Sequence, residues 1–476
     1  MNKSLFICTI ILAGLAASCS TSSRPNVVFI LVDDLGWKDL ACYGSDFYDT
    51  PEIDKLASQS VRFTDAYSAS PVCSPTRAAL MTGKHPVRIN ITDWIPGMSV
   101  KRAEDPLLVP PEDIHNLPHE EITLAEVFRE QGYKTFFAGK WHLGETEEFW
   151  PEYQGFDINK GGIDWGQPKR ITGGKGYYSP YNNPRLENGP PGEYLTDRLT
   201  DESMDFIEAS GESPFFLYLA YYTVHTPIMG CDQYDDIYLK RSYLLPDSGK
   251  LISRQEHSAR TRLNQSNPKY AAMVRSLDAN VGRLIDKLRD TGKLDNTIIV
   301  FTSDNGGLST SNGPTSVVPL RAGKGWCYEG GIRVPLMISF PGMSKGGEVC
   351  SQPSISMDLY PTLLELAAVD QRPDQALDGI SLVPFLKDPE LSTDRILTWH
   401  FPHYHGSHWR PGSAIREANW KLVEFYEDDR VELYDLDTDL EEQVDVSEIN
   451  PMIAERLRSL LHRELDGLGA RYPVKK

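Results

Sequence analysis

NVVFILVDD, Asn26 to Asp34, decides the fold. Seven residues, six of them apolar and several β-branched, run without the alternation that marks a half-solvated strand. Such a run reads as a strand buried on both faces, the central strand of a parallel sheet. It stops abruptly at two carboxylates, Asp33 and Asp34. The same design recurs along the chain: Lys134 to Ala138, Phe215 to Tyr222, Thr297 to Phe301 and Val334 to Phe340 all read as strands. Helical segments lie between them, at Pro51 to Ser58, Glu121 to Glu130, Thr196 to Ala209, Pro268 to Asp290 and Asp358 to Ala367. The clearest is Pro268 to Asp290. Its Tyr270, Met273, Val274, Leu277, Val281, Leu284, Ile285 and Leu288 fall at three/four spacing and form one buried stripe. The expected fold class is therefore α/β, a large, mainly parallel or mixed sheet covered by helices on both faces.

In such sheets ligands bind beyond the carboxyl ends of the strands. Four polar sets stand there: Asp33-Asp34, Lys140 with His142, His225, and Asp304-Asn305. They are expected to share one site. A fifth segment, PVCSPTRAALMTG (Pro71 to Gly83), reads as a helix with Pro75 in its first turn and Gly83 just past its end. Cys73 then stands at the helix N-terminus, where unpaired N–H groups and the helix dipole favour an anion.

From about Ile396 the elements shorten. ILTWHF, GSAIRE, WKLVEFY and VELYDL, with a closing helix near Pro451, read as a small antiparallel sheet carrying one helix. The expected organisation is a leader over residues 1–23, a catalytic domain over 24–390 and a C-terminal α+β subdomain over 391–476. The leader has Lys3, an apolar run too short to span a bilayer, and LAASC ending at Cys19. It predicts export, to the periplasm or the outer membrane of a Gram-negative bacterium, with either a lipid anchor at Cys19 or simple cleavage. No transmembrane span is expected. Cys42, Cys231, Cys327 and Cys350 have no zinc spacing and leave three disulfide pairings open.

Among 476 residues, 48 Lys+Arg against 67 Asp+Glu give a net charge of −19. That argues against nucleic acid or an anionic membrane as a bulk partner. It leaves room for a small anionic substrate, because lysines and a metal can reverse the sign inside one cleft. Asp33, Asp34, Asp304 and Asn305 offer hard oxygen donors only, which suits Ca²⁺ or Mg²⁺ and not zinc. With Arg77, Lys140, Lys324, two histidines and a helix N-terminus, the set describes a site for a tetrahedral oxyanion ester.

CSPTRAALMTG resembles the signature of the type I sulfatases, and FILVDDLG, GKWHLG, HTP, SDNGG and GKGWCYEGGIRVP resemble that family's other blocks in order. The resemblance implies an alkaline phosphatase-like fold and hydrolysis of a sulfuric ester. It implies that a maturation enzyme oxidises Cys73 to formylglycine (3-oxoalanine), whose hydrate attacks sulfur with one hydroxyl and expels sulfate through the other. It also implies one Ca²⁺ held by Asp33, Asp34, Asp304, Asn305 and residue 73. By the same resemblance Arg77 and Lys140 steady residue 73, His142 is the base, and His225 and Lys324 contact the sulfate.

Substrate choice is expected in the loops outside these blocks: Asp93 and Trp94, within a stretch that reads as surface loop, the 154–193 region, and His400, His403, His405, His408 and Arg410. Aromatic, His and Arg groups suit a sugar, and ITDWIPG and WHFPHYH resemble bacterial sulfatases acting on galactose- or N-acetylgalactosamine-type polysaccharides. Two other readings stay open. One is a phosphoester or phosphonate hydrolase of the same superfamily, which would more often carry His at position 305; the other is an inactive glycan-binding lipoprotein.

Overall fold

β1 (Asn26–Val32) is buried at every position, and its two faces feed two different cores. Val28, Ile30 and Val32 enter one apolar cluster and Val27, Phe29 and Leu31 the other, the period-2 alternation of a strand covered on both sides. The computed structural model describes residues 24–98, 105–169, 174–340, 342 and 346–476. The expected leader, residues 1–23, lies outside the described residues.

Seven further strands join β1: β2 (Val61–Phe63), β3 (Lys134–Gly139), β4 (Ile158–Lys160), β5 (Phe215–Tyr221), β6 (Thr297–Ser303), β7 (Leu336–Ser339) and β8 (Glu348–Cys350). Their order is β8-β2-β7-β6-β1-β5-β3-β4. β7 pairs antiparallel to both of its neighbours, and every other pairing is parallel, so the sheet is mixed. On one face lie α2 (Leu195–Ala209) and α4 (Pro268–Asp290); the whole predicted stripe of α4 is buried there. On the other lie α1 (Cys73–Thr82) and α5 (Leu359–Leu366). Between α2 and α4 the chain also forms α3 (Asp232–Tyr243), a helix not expected from the sequence.

The second sheet is an antiparallel meander of β9 (Ile396–Phe401), β10 (Gly412–Glu417), β11 (Trp420–Phe425) and β12 (Arg430–Asp435). Alternation again divides its side chains. Ile415, Leu422 and Leu433 pack on Leu457, Leu461 and Leu465 of α6 (Pro451–Leu468). Trp399, Ala414, Val423 and Tyr434 face Val72 and Ala79, so this sheet backs the helix that begins at Cys73. The described cysteines, Cys42, Cys73, Cys231, Cys327 and Cys350, are free, and none of the open pairings forms.

Candidate active site

The four polar sets follow the four adjacent central strands β6, β1, β5 and β3, whose carboxyl ends therefore converge on one line. α1 is wholly buried, starts at Cys73 and ends at Gly83, whose φ of 69° is the left-handed conformation a helix stop needs. Its N-terminus faces the strand ends. Ser74 Oγ donates to the His142 carbonyl at 3.0 Å, and Arg77 Nη1 donates to the Lys140 carbonyl at 2.6 Å.

Buried cations alternate with buried carboxylates. Lys140 Nζ donates to both oxygens of Asp33, at 2.8 and 2.9 Å. Arg77 donates through Nε and Nη2 to Asp304 Oδ2, at 2.9 and 2.7 Å. Lys324 Nζ donates to Asp34 Oδ1 at 2.5 Å. All three carboxylates have no exposed surface. Burial opposes ionisation of Asp34, but Lys324 and His225 hold its carboxyl well below the usual range. Burial pushes Asp33 up, with Lys140 pulling against it and Asp304 and Asp34 adding to it. A buried pair of this kind does little for net stability, yet removing one member is expensive. The network therefore fixes geometry.

His142 stands beside Cys73, with Nδ1 3.4 Å from Sγ. Its Nε2 lies 2.5 Å from the Ile95 carbonyl, which can only accept, so Nε2 carries the hydrogen and Nδ1 presents a lone pair to residue 73. Burial, Lys140 and Arg77 hold this imidazole neutral by lowering its pKa well below the ordinary value. Gly166 closes on the ring: a Cβ there would lie 2.7 Å from Cε1 and 2.8 Å from Nε2. His225 lies opposite, Nδ1 2.8 Å from the Thr226 carbonyl and Nε2 3.5 Å from Asp34 Oδ2. Burial, and Lys324 against the pull of Asp34, depress it to about 3.

These groups open into a cleft of about 560 Å³ lined by Cys73, Trp94, Ile95, His142, His225, Lys324 and His405. Of the residues expected to choose the substrate, Trp94 and His405 are in this cleft. Asp93 is not, and the stretch around it is only partly a surface loop: Pro96 is exposed, but Asp93 and Ile95 are buried. Asp93 is buried because its carboxylate accepts from Trp94 N at 2.8 Å and Met98 N at 3.3 Å, tying up its own turn. His403 is also buried, 2.8 Å from Thr92 Oγ1 behind that turn. Arg410 does not reach the cleft; it pairs with Glu427 in a neighbouring cavity. His400 points away too, toward Ser413 and the Arg471 carbonyl. The cleft adds Glu145, Asp164, Gln167 and Lys169, which the sequence reading did not single out. Glu145 directly follows the GKWHLG block, and the other three sit in the 154–193 region.

The donor set suits a hard cation. Asp34 Oδ2 and Asn305 Oδ1 are buried and without a hydrogen-bond partner, although the two side chains touch through Asn305 Nδ2 and Asp34 Oδ1 at 2.8 Å. Orphaned buried oxygens are costly, and a cation would satisfy both. Asp33, Asp34 and His225 also bring possible ligand atoms within 4.8 Å of one another.

An anion-seeking helix end, a base, buried cations and a hard-oxygen set at one sheet edge define a hydrolase of oxyanion esters. Comparison with known proteins says which kind. Residues 25–369 match the sulfatase family model, and residues 322–470 match the model of the C-terminal region of N-sulphoglucosamine sulphohydrolase. Human arylsulfatase A is 36% identical over 86% of this chain and 77% of its own. Human N-acetylgalactosamine-6-sulfatase is 32% identical over 79% of this chain and 68% of its own. The crystal structure of Ps i-CgsB in complex with k-i-k-neocarrahexaose is similar, with a TM-score of 0.72 and 30% identity over 93% of this chain and 92% of that one. The chain belongs to the sulfatase family, with the alkaline phosphatase-like fold of its type I members, and is a sulfuric ester hydrolase.

Proposed function

We propose that the protein removes sulfate from a sulfated carbohydrate of galactose or N-acetylgalactosamine type, using formylglycine made from Cys73 by a maturation enzyme and one Ca²⁺. The observation that carries this reading is the lone pair of His142 Nδ1 turned toward residue 73, 3.4 Å from Sγ, at the floor of the cleft. Formylglycine supplies, as its hydrate, an attacking oxygen and a second hydroxyl for the release of sulfate, and Ca²⁺ supplies charge that draws the ester oxygens.

Asp33, Asp34, Asp304, Asn305 and residue 73 would hold the cation. Arg77 and Lys140 keep the carboxylates in place around it. His142 Nδ1 takes a proton from the group at position 73. Lys324 and His225 flank Asp34 and hold the sulfate oxygens. A bound sulfate ester brings negative charge that raises the proton affinity of His225, so that it can protonate the departing alcohol. Trp94, His405, Glu145, Asp164, Gln167 and Lys169 give the cleft an aromatic and polar lining that suits a sugar. Named relatives support the substrate class: one is an N-acetylgalactosamine-6-sulfatase, and the i-CgsB structure contains a neocarrahexaose.

We also propose the domain limits 24–390 and 391–476, supported by a second sheet that starts at Ile396. Export, with or without a lipid anchor on Cys19, rests on the leader sequence. No helix among the described residues is long and apolar enough to cross a membrane.

The test is sulfate release from a panel of sulfated mono- and oligosaccharides, with phosphate esters alongside and Cys73→Ala as control. Release from carbohydrate sulfates that vanishes in the variant is expected. Faster release of phosphate than of sulfate would overturn the reading in favour of a phosphoester hydrolase.

A further inference from the structure

A second cavity, of about 490 Å³, adjoins the catalytic cleft. Two short segments serve both hollows. Lys324 lines the cleft and Trp326 the second cavity; His405 lines the cleft and His408 the second cavity. His405 and His408 belong to one turn, closed by the His408 N–H donating to the His405 carbonyl at 3.0 Å. The ridge between the hollows is Gly325 and Ser407. Trp326 Nε1 donates to the Ser407 carbonyl at 3.0 Å, and a Cβ on Gly325 would fall 2.0 Å from His405 Nδ1. Two extended residues span at most about 7 Å, which sets the separation of Lys324 and Trp326. The two cavities share walls along these short stretches.

The lining has a definite chemistry. His257 stacks on Trp326, with ring centroids 5.4 Å apart and planes at 22°, and the Arg430 guanidinium lies over the Phe425 ring at 4.3 Å. The charges balance. Arg410 pairs with Glu427, and Arg430 donates through Nε to Asp428 at 3.3 Å and through Nη1 to Glu432. An anion would have to compete with these carboxylates for the arginines. A neutral polyol would not, since its hydroxyls accept from guanidinium N–H groups and donate to carboxylates.

We propose that this cavity binds an uncharged sugar unit of the same glycan whose sulfated unit sits at Cys73. The proposal rests on the reading of the substrate as a sulfated carbohydrate. It assigns Arg410 a role next to the cleft and not inside it, and it makes the enzyme selective for chains over single sugars.

The test compares kcat/KM for sulfate release from carrageenan and chondroitin sulfate oligosaccharides with that from the matching sulfated monosaccharides. It is run for wild type, Arg410→Ala and Arg430→Ala, with thermal melts to confirm folding; Arg430 carries the test if Arg410→Ala misfolds. Wild type is expected to favour the longer chain by about tenfold or more, the scale of one or two hydrogen bonds to charged groups, and the ratio is expected to fall toward one in the variants. A wild-type ratio near one, or a ratio unchanged in Arg430→Ala, would overturn the subsite while leaving carbohydrate sulfatase activity standing. No release from any carbohydrate sulfate would instead overturn the parent reading, and the subsite with it.

Discussion

His142 shows how much of this site is set by single atoms. Its Nδ1 is available to residue 73 because Nε2–H is committed to the Ile95 carbonyl, and at Gly166 there is no room for a side chain beside the ring. Gly166→Ala would push a methyl group into the imidazole. A fall in kcat of about tenfold or more is expected, the cost of misplacing a general base, with KM for a small sulfate ester little changed. Steady-state kinetics reads both. Lys140 is the complementary case, a buried ammonium whose two hydrogen bonds hold Asp33. Lys140→Met would leave buried Asp33 with only the more distant Arg77, 3.6 Å away, and is expected to lower unfolding free energy by about 3 kcal/mol in urea titrations. At this scale the sequence marked residues that the fold brings together: Asp33, Asp34, Lys140, His142, His225 and Asp304 follow adjacent strands, with Cys73 and Lys324 beside them; it gave no sign of Glu145, Asp164, Gln167 and Lys169 in the cleft. It was silent on the Ile95 carbonyl, because a backbone partner has no letter. Arg410 lies outside the cleft because the four-residue turn His405 to His408 sends His405 to one hollow and His408 to its neighbour.

Among the elements, the turn at 93–98 does the most for its size. Asp93 ties it with both oxygens, Ser74 Oγ accepts from Ile95 N at 3.1 Å, and the Ile95 carbonyl then meets His142. Asp93 is thus a positioning residue. Asp93→Ala is expected to loosen the turn and reduce kcat several-fold, while Asp93→Asn, whose single amide oxygen can accept from only one of the two N–H groups, is expected to fall between Ala and wild type. A loss of KM alone in Asp93→Ala would point instead to direct substrate contact. The elements that period and apolarity mark were legible. β1 and α4 match their expected spans, and the second sheet was read strand by strand. Others gave no such signal. α3 buries few residues, chiefly Tyr238 and Ser242, and leaves Ile237 and Leu239 exposed, so no apolar stripe announces it. The hairpin of Ser253–Glu256 and Ala259–Arg262 is polar throughout most of its length. The reversal of β7 was equally hidden, because a buried strand has the same composition in either direction.

Over the whole molecule, a net charge of −19 coexists with a site built to take an anion. The two are reconciled by placement: Arg77, Lys140 and Lys324 are buried at the sheet edge, each on a carboxylate, and the helix of Cys73 points its N-terminus there. A cation bound among Asp33, Asp34, Asp304 and Asn305 would bind the folded chain and not the unfolded one. Chelation is therefore expected to lower the melting temperature and abolish sulfate release together, and added Ca²⁺ to restore both. Unchanged melting and activity after exhaustive chelation would remove the metal from the account. The second sheet belongs to the same machine, since its inner face packs behind Val72 and Ala79 at the start of the nucleophile helix. The central claim is that residue 73 does not react as a thiol, and mass spectrometry of the peptide containing it, from fully active enzyme made in the native host, tests that most directly. The account predicts the aldehyde at position 73; an unmodified cysteine there in fully active enzyme would contradict it.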